Sequence, residues 1–391
     1  MLARTLGADG YGIYSYAFAV MSLLMVLAEA GVPTLLMREV AAARVLGKWG
    51  LLQGLLRRAM QYVTFTAAAV ASVGLLALSW LAGDLHPKAQ ATMAFMLLTL
   101  PMVAMAKTLT HAMRGLHRVV TGQALDILLR PIIALVLIGS IFSVWPDVRD
   151  PQVAMIAQLV AALLVFIVSL LIMRDLFPVE SLGQSAQYRN RVWIRNTLPF
   201  VLIGGAGIVN QQADIIMLGW FVNSSDVGIY RVASQGAILT TFPFQAISAV
   251  LAPRFSSLYR AGRNRQLTKL YRRSTGILVL LTVPLILVFL FEGETLLRFL
   301  FGEGYSSGHK VLAIISLGYF CNVVFGPVGT LMQMVGKERM TAVILSITGL
   351  LNVVMNAALI PVCGLAGAAL STAFTVFLYH ALLWAFYVKC V

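Results

Sequence analysis

The chain has 391 residues, of which 60% are hydrophobic and only 11% charged, with a mean hydropathy of +0.87. A soluble domain carries about 25% charged residues, so the composition excludes a water-soluble globular fold. The net charge of +14 does not point to nucleic acid. The basic residues flank apolar segments, where they orient helices and meet anionic lipid.

Apolar runs of about 20 residues, enough to cross a bilayer, fall at 11–36, 59–83, 91–113, 122–145, 152–173, 197–222, 227–251, 274–298, 308–335, 340–360 and 364–388. These eleven candidates predict an all-α polytopic membrane protein. The segments between them alternate in charge. Those at 37–58, 114–121, 174–196, 252–273, 336–339 and after 388 hold 21 of the 29 Lys and Arg. The positive-inside rule assigns them to the cytoplasm, with the C-terminus, and leaves the N-terminus outside. Segments 39–58 and 255–273 read as amphipathic helices lying in the inner interface.

The opposite loops are short, so a soluble catalytic domain has no place. No G-x-x-x-x-G-K-[ST] phosphate loop is present. The chain is not expected to be an enzyme or to hold a cofactor. Cys321, Cys363 and Cys390 are scattered, without disulfide or zinc spacing.

The sequence repeats itself. Gly12-Ile13-Tyr14 recurs as Gly228-Ile229-Tyr230 and Arg38 as Arg254, each at an offset of 216 residues. A second match sets Met113-Arg114-Gly115-Leu116-His117-Arg118 against Met334-Val335-Gly336-Lys337-Glu338-Arg339 at an offset of 221, the drift implying a small insertion near 292–310. The expected organisation is an N-terminal lobe at 1–173, a cytoplasmic linker at 174–196 and a C-terminal lobe at 197–391. Moved back by 216, the helix at 197–222 falls before Met1. The first lobe is therefore expected to lack its first helix, and the natural protein to have about twelve.

Four motifs in order carry a family resemblance. Ala3-Arg4-Thr5-Leu6-Gly7, with Tyr11-Gly12-Ile13-Tyr14, resembles the "A-R-x-L-G-x-x-x-Y-G-x-Y" opening of Wzx-type polysaccharide and O-antigen flippases of the multidrug/oligosaccharidyl-lipid/polysaccharide (MOP) exporter superfamily. Gly31 with Arg38-Glu39-Val40-Ala41, Asp214 to Gly219 with Val227-Gly228-Ile229-Tyr230, and Ile360-Pro361 with Gly364 and Gly367-Ala368-Ala369 are similar to later motifs of that family. The resemblance implies two related helical lobes of MATE-like architecture. It implies flipping of a polyprenyl-diphosphate-linked oligosaccharide across a bacterial inner membrane by alternating access, with ion coupling and with glycan polymerase or assembly proteins as partners. A multidrug exporter of the same superfamily and a membrane glycan polymerase or ligase are the alternatives.

Setting aside Glu292, Glu294, Arg298 and Lys310 at the outer ends of their spans, six charged residues are read as intramembrane: Glu29, Lys107, Asp126, Arg130, Asp214 and Arg231. Intramembrane charge costs about 2.5–3.5 kcal/mol at a helix centre on insertion scales, so each is a candidate functional residue. Lys107 and Arg130 lie about 10–14 Å from the inner face at 1.5 Å per residue. They bind a diphosphate, for which guanidinium offers a planar fork, pair with Glu29 and Asp126, the latter an i,i+4 pair, or snorkel to the inner headgroups. Their second-lobe equivalents at offset 221, Val328 and Leu351, are neutral. His111, one turn from Lys107, is a phosphate contact, a pH sensor or an interfacial histidine. Asp214, after Asn210, Gln211 and Gln212, is either a Na⁺ or H⁺ coupling site, with Gln211 and Glu29 as further candidates, or a carboxylate capped by a neighbouring helix. Arg231 is a substrate or gating contact, or an interfacial anchor. Arg38 and Arg254 either close an inner gate or neutralise helix C-termini.

Overall fold

A computed structural model describes residues 1–81, 83, 86–177 and 184–390. Part of the expected linker (178–183), Asp84 and the Cys390 side chain lie outside the described residues. All regular structure among the described residues is helical: α1 Leu2–Glu29, α2 Val32–Val45, α3 Trp49–Trp80, α4 Pro87–Gly115, α5 Val119–Gln123, α6 Arg130–Val144, α7 Pro151–Leu176, α8 Asn190–Phe221, α9 Ser224–Ile238, α10 Phe242–Arg260, α11 Asn264–Phe291, α12 Gly293–Phe301, α13 His309–Val324, α14 Val328–Met334 and α15 Glu338–Cys390. Nine helical stretches of the described residues are long and apolar enough to span a bilayer. The last of them is two passes. Gly364 interrupts α15 with φ 55, and the amide of Asn352 donates to Thr375 Oγ1 across the bend at 3.3 Å, so the two arms run antiparallel. The surface shows Phe65, Leu280, Phe291 and Leu350 more than 65% exposed, as a lipid-solvated exterior requires. The chain is a multi-pass membrane protein.

The basic segments at 39–58 and 255–273 are not single interfacial helices. Each is a helix end, a three-residue turn and a new helix. At 46–48 the Gly47 N–H donates to the Arg44 carbonyl and the Lys48 N–H to Ala43. Gly47 has φ 64. This is the Schellman pattern, which needs one left-handed residue after the helix. Ala261-Gly262-Arg263, Val335-Gly336-Lys337 and Leu116-His117-Arg118 repeat the same bonds. The four basic turns are one device.

They also correct the second repeat match. The left-handed residue of the third turn is Gly336 (φ 82) and its counterpart is His117 (φ 63), not Gly115. The offset there is 219, and the second-half equivalents of Lys107 and Arg130 become Gly326 and Gly349, which are again neutral. The extra residues fit the α11–α13 connection, where α12 and a short 3-10 turn at Glu303–Gly308 intervene. The expected span at 274–298 therefore ends at Phe291.

Residues Tyr16–Gln212 form one compact unit, and Met1–Ser15 with Ala213–Val391 form the other. These divisions fall inside α1 and α8 rather than at a 174–196 linker. The reason is local: the start of α1 packs on C-terminal elements. Tyr305 donates its hydroxyl to the Ala3 carbonyl at 2.8 Å, and Asp9 accepts from Ser224 Oγ.

In the Tyr16–Gln212 unit α4 is the hub and packs against α2, α3 and α7. Thr92, Met96, Leu100, Ala104 and Thr108 are at most 1% exposed. The α7 face toward it is small, with Ala154, Ala157 and Ala161, which lets backbones approach. In the other unit α13 packs on α9, α11 and α15, and Leu251, Phe255, Leu267, Val328 and Leu383 make an apolar cluster.

Candidate functional site

The first half concentrates charge in one place. Glu29 stands at the last position of α1, and Lys107, His111 and Arg114 lie on one face of α4, at i, i+4 and i+7. Between α5 and α6 the chain makes a π-turn over Ala124–Leu129 that carries Asp126 and leads to Arg130. The following residue explains the turn. Pro131 lacks an N–H and its ring collides with the carbonyl four residues back, so the preceding turn widens. Arg130 accordingly donates its N–H five residues back, to Leu125.

Glu29 Oε2 accepts from Lys107 Nζ at 2.9 Å, with the two side chains 12% and 31% exposed. The π-turn that carries Asp126 and leads to Arg130 packs against α4, the helix that holds Lys107. The pair expected four residues apart, Asp126 with Arg130, does not form among the described residues, because the π-turn takes the two off the α-helical spacing of neighbours. Arg114 joins the cluster, though the sequence placed it in a loop. Its Nε is buried without a partner, and its Nη1 lies 3.4 Å from His111 Nε2. His111 Nδ1 sits 2.8 Å from the Lys107 carbonyl, which can only accept. Nδ1 thus carries the proton and Nε2 is left as an acceptor facing Arg114. This geometry turns His111 into a support for Arg114. The cluster holds Lys107, Arg114 and Arg130 against Glu29 and Asp126, one cation in excess.

The other unit holds a partly buried carboxylate. Asp214 on α8 accepts from the Tyr230 hydroxyl at 2.7 Å, from Asn356 Nδ2 at 2.6 Å and from Thr372 Oγ1 at 2.6 Å. Asn356 also donates to Asn352 Oδ1 at 3.1 Å. Three donors from α9 and both arms of α15 therefore converge on one carboxylate, and Asn356 Oδ1 is buried without a partner. The sequence singled out Asp214 and named Tyr230 as part of the repeat motif; it did not point to Thr372, whose contribution depends on the hairpin at Gly364. Gln211 is exposed, and Glu29 belongs to the cationic cluster.

Arg231 lies beside Tyr230 on α9, partly buried. Arg38 is exposed, bonds its chain neighbour Glu39 at 2.8 Å and stacks over Phe200 at 5.3 Å. Arg254 is exposed on α10.

The repeat motif itself is a contact. A Cβ on Gly12 would overlap the Ser224 carbonyl, and one on Gly228 would overlap the Ala8 carbonyl. Ser224 and Gly228 are the repeat equivalents of Ala8 and Gly12. The helices α1 and α9 cross at matching positions, and only glycine permits the approach.

Comparisons with known proteins agree with this fold. The family described as polysaccharide biosynthesis protein matches residues 1–259, and the MatE family matches residues 208–358. A relative in Haloferax volcanii, the probable low-salt glycan biosynthesis flippase Agl15, is 25% identical over 183 residues, 47% of this chain and 39% of its own. The chain spans between 34% and 50% of the lengths of the curated relatives it matches. Among solved structures, an inward-facing multidrug resistance MATE family transporter of the MOP superfamily superposes with a TM-score of 0.76 at 12% identity, covering 99% of this chain and 93% of that one. The inward closed lipid II flippase MurJ superposes with a TM-score of 0.68 at 12% identity, covering 99% and 86%. The chain has the MOP fold and belongs to the polysaccharide biosynthesis protein family.

Proposed function

We propose that this protein flips a polyprenyl-diphosphate-linked oligosaccharide from the inner to the outer leaflet of a bacterial plasma membrane by alternating access. The observation that carries this reading is the excess of cations in the partly buried cluster of the first half. A diphosphate leaving water needs cationic partners already in place. Arg130 and the Arg114 Nε lack carboxylate partners among the described residues, and Lys107 is the third cation. The four basic turns and the C-terminus face the cytoplasm in this reading. The glycan-flippase relative supports the substrate class, and glycan assembly enzymes are the proposed partners.

Asp214 is the proposed ion-coupling site. Its neighbours Thr372, Tyr230 and Asn356 bring oxygens that serve Na⁺, and the carboxylate itself serves a proton. The MatE match favours a second reading, a multidrug exporter. The cation excess opposes it, since a cationic drug calls for an acidic or aromatic site.

The test uses the full protein in proteoliposomes with a diphosphate-linked oligosaccharide under imposed Na⁺ or proton gradients. Wild type is expected to translocate it. Lys107→Ala with Arg130→Ala is expected to lose about tenfold or more, the worth of one lost charge-assisted contact, while still inserting and folding. Full transport by that variant overturns the diphosphate assignment. Translocation of cationic drugs alone turns the reading to an exporter.

A further inference from the structure

Apart from that site, the Tyr16–Gln212 unit contains a cavity of about 320 Å³, the lower end of small-ligand pockets. It is lined chiefly by Leu35, Leu55, Ala59, Trp193 and Ile194, and its polar groups come from Arg58 and Asn190 with the hydroxyls of Tyr62 and Thr197. Leu35, Leu55, Ala59 and Trp193 are at most 6% exposed.

Its level in the bilayer follows from α3. The helix is uncharged from Ala59 to Trp80, about 33 Å at 1.5 Å per residue, a full hydrocarbon thickness. Arg58 therefore stands where headgroups begin, on the side of the basic turns. Its guanidinium lies over the Tyr188 ring at 5.3 Å. Among the described residues no carboxylate pairs with it, and the neighbouring Arg57, Arg189 and Arg191 are exposed. Asn190 Oδ1 is buried without a donor.

We infer that this cavity binds one anionic, hydroxyl-bearing phospholipid of the surrounding bilayer, of the phosphatidylglycerol type. The acyl chain fills the apolar cavity, Arg58 takes the phosphate and a headgroup hydroxyl donates to Asn190 Oδ1. Charge complementarity selects this occupant. An apolar cavity rimmed by an arginine that, among the described residues, bonds only the Gln61 amide oxygen and has no carboxylate partner, beside an open acceptor, matches a tail, an anion and a hydroxyl donor at one depth. A zwitterionic choline lipid supplies no donor for Asn190 and brings a cation toward an arginine-rich rim.

Trp193 lines the cavity, so bromine on a bound acyl chain quenches it. The protein retaining only Trp193, with Trp49, Trp80, Trp145, Trp220 and Trp384 changed to Phe, is titrated in detergent with dibrominated phosphatidylglycerol or phosphatidylcholine. Saturable quenching by phosphatidylglycerol at one site is expected. Binding should weaken roughly tenfold in Arg58→Ala, as for loss of a charge-assisted contact, and largely recover in Arg58→Lys. Ala59→Phe should abolish the saturable component. Native mass spectrometry of the protein with all its tryptophans, counting retained lipid in wild type and Arg58→Ala, covers the case in which the five Phe replacements impair folding. Equal, non-saturating quenching by both lipids, or lipid retention unchanged by Arg58→Ala, overturns the site. Displacement of phosphatidylglycerol by polyprenyl phosphate at equimolar ratio overturns the choice of occupant.

Discussion

Lys107 and Glu29 form a partly buried ion pair, and removing one partner strands the other. Breaking a buried pair costs about 3–5 kcal/mol. With Lys107 31% exposed, Glu29→Gln should fall below that range. Exchanging the charges separates structure from transport. Glu29→Lys with Lys107→Glu keeps the pair and should restore thermal stability in detergent close to wild type. If Lys107 holds diphosphate, the exchanged protein stays inactive in proteoliposomes; recovered transport would falsify that role. Asp214 yields a second residue-level prediction. Thr372→Val deletes one of three donors to the carboxylate without changing shape much. It should destabilise the protein by about 1.5–3 kcal/mol, the worth of a hydrogen bond to a charged group, and lower ion-driven transport. Denaturant melts and gradient-driven flux read the two effects separately.

At the scale of elements, the four Schellman turns are a controlled series. Three place glycine at the left-handed position and the fourth places His117 there at φ 63. A β-carbon in that region costs about 1 kcal/mol or more. His117→Gly should therefore stabilise the protein by about 0.5–1 kcal/mol, less the added entropy of an unfolded glycine, and a thermal melt in detergent checks it. The apolar runs were legible because a bilayer demands about 20 uninterrupted residues. The breaks within and between them were not. Gly47 and Gly262 lie inside basic stretches whose amphipathic pattern continues across the turn, so periodicity alone merged two helix ends into one interfacial helix. The π-turn was equally invisible. Pro131 marks it only to a reader who asks where its missing N–H leaves the carbonyl of residue 127. That single turn decides the candidate site, since it takes Asp126 off the spacing at which a regular helix would neutralise Arg130. Arg114 reads as a loop residue in the sequence because its helix runs further than its hydrophobicity.

Across the whole molecule the internal repeat was the most readable feature, and its physical reason lies in the crossing of α1 with α9. Ala8 and Gly12 meet Gly228 and Ser224 reciprocally, so the contact is isologous, the interface of a twofold dimer written into one polypeptide. Such an interface has a bookkeeping of its own. Two glycines far apart in sequence count as one position, and damage to either is damage to both. Gly12→Ala and Gly228→Ala should each destabilise by about 1–3 kcal/mol, as overpacking does. The double variant should cost clearly less than their sum, because the helices have already moved apart for the first methyl group. Strict additivity in a double-mutant cycle would show the two halves yielding independently, and self-complementarity would then end at geometry without reaching energy.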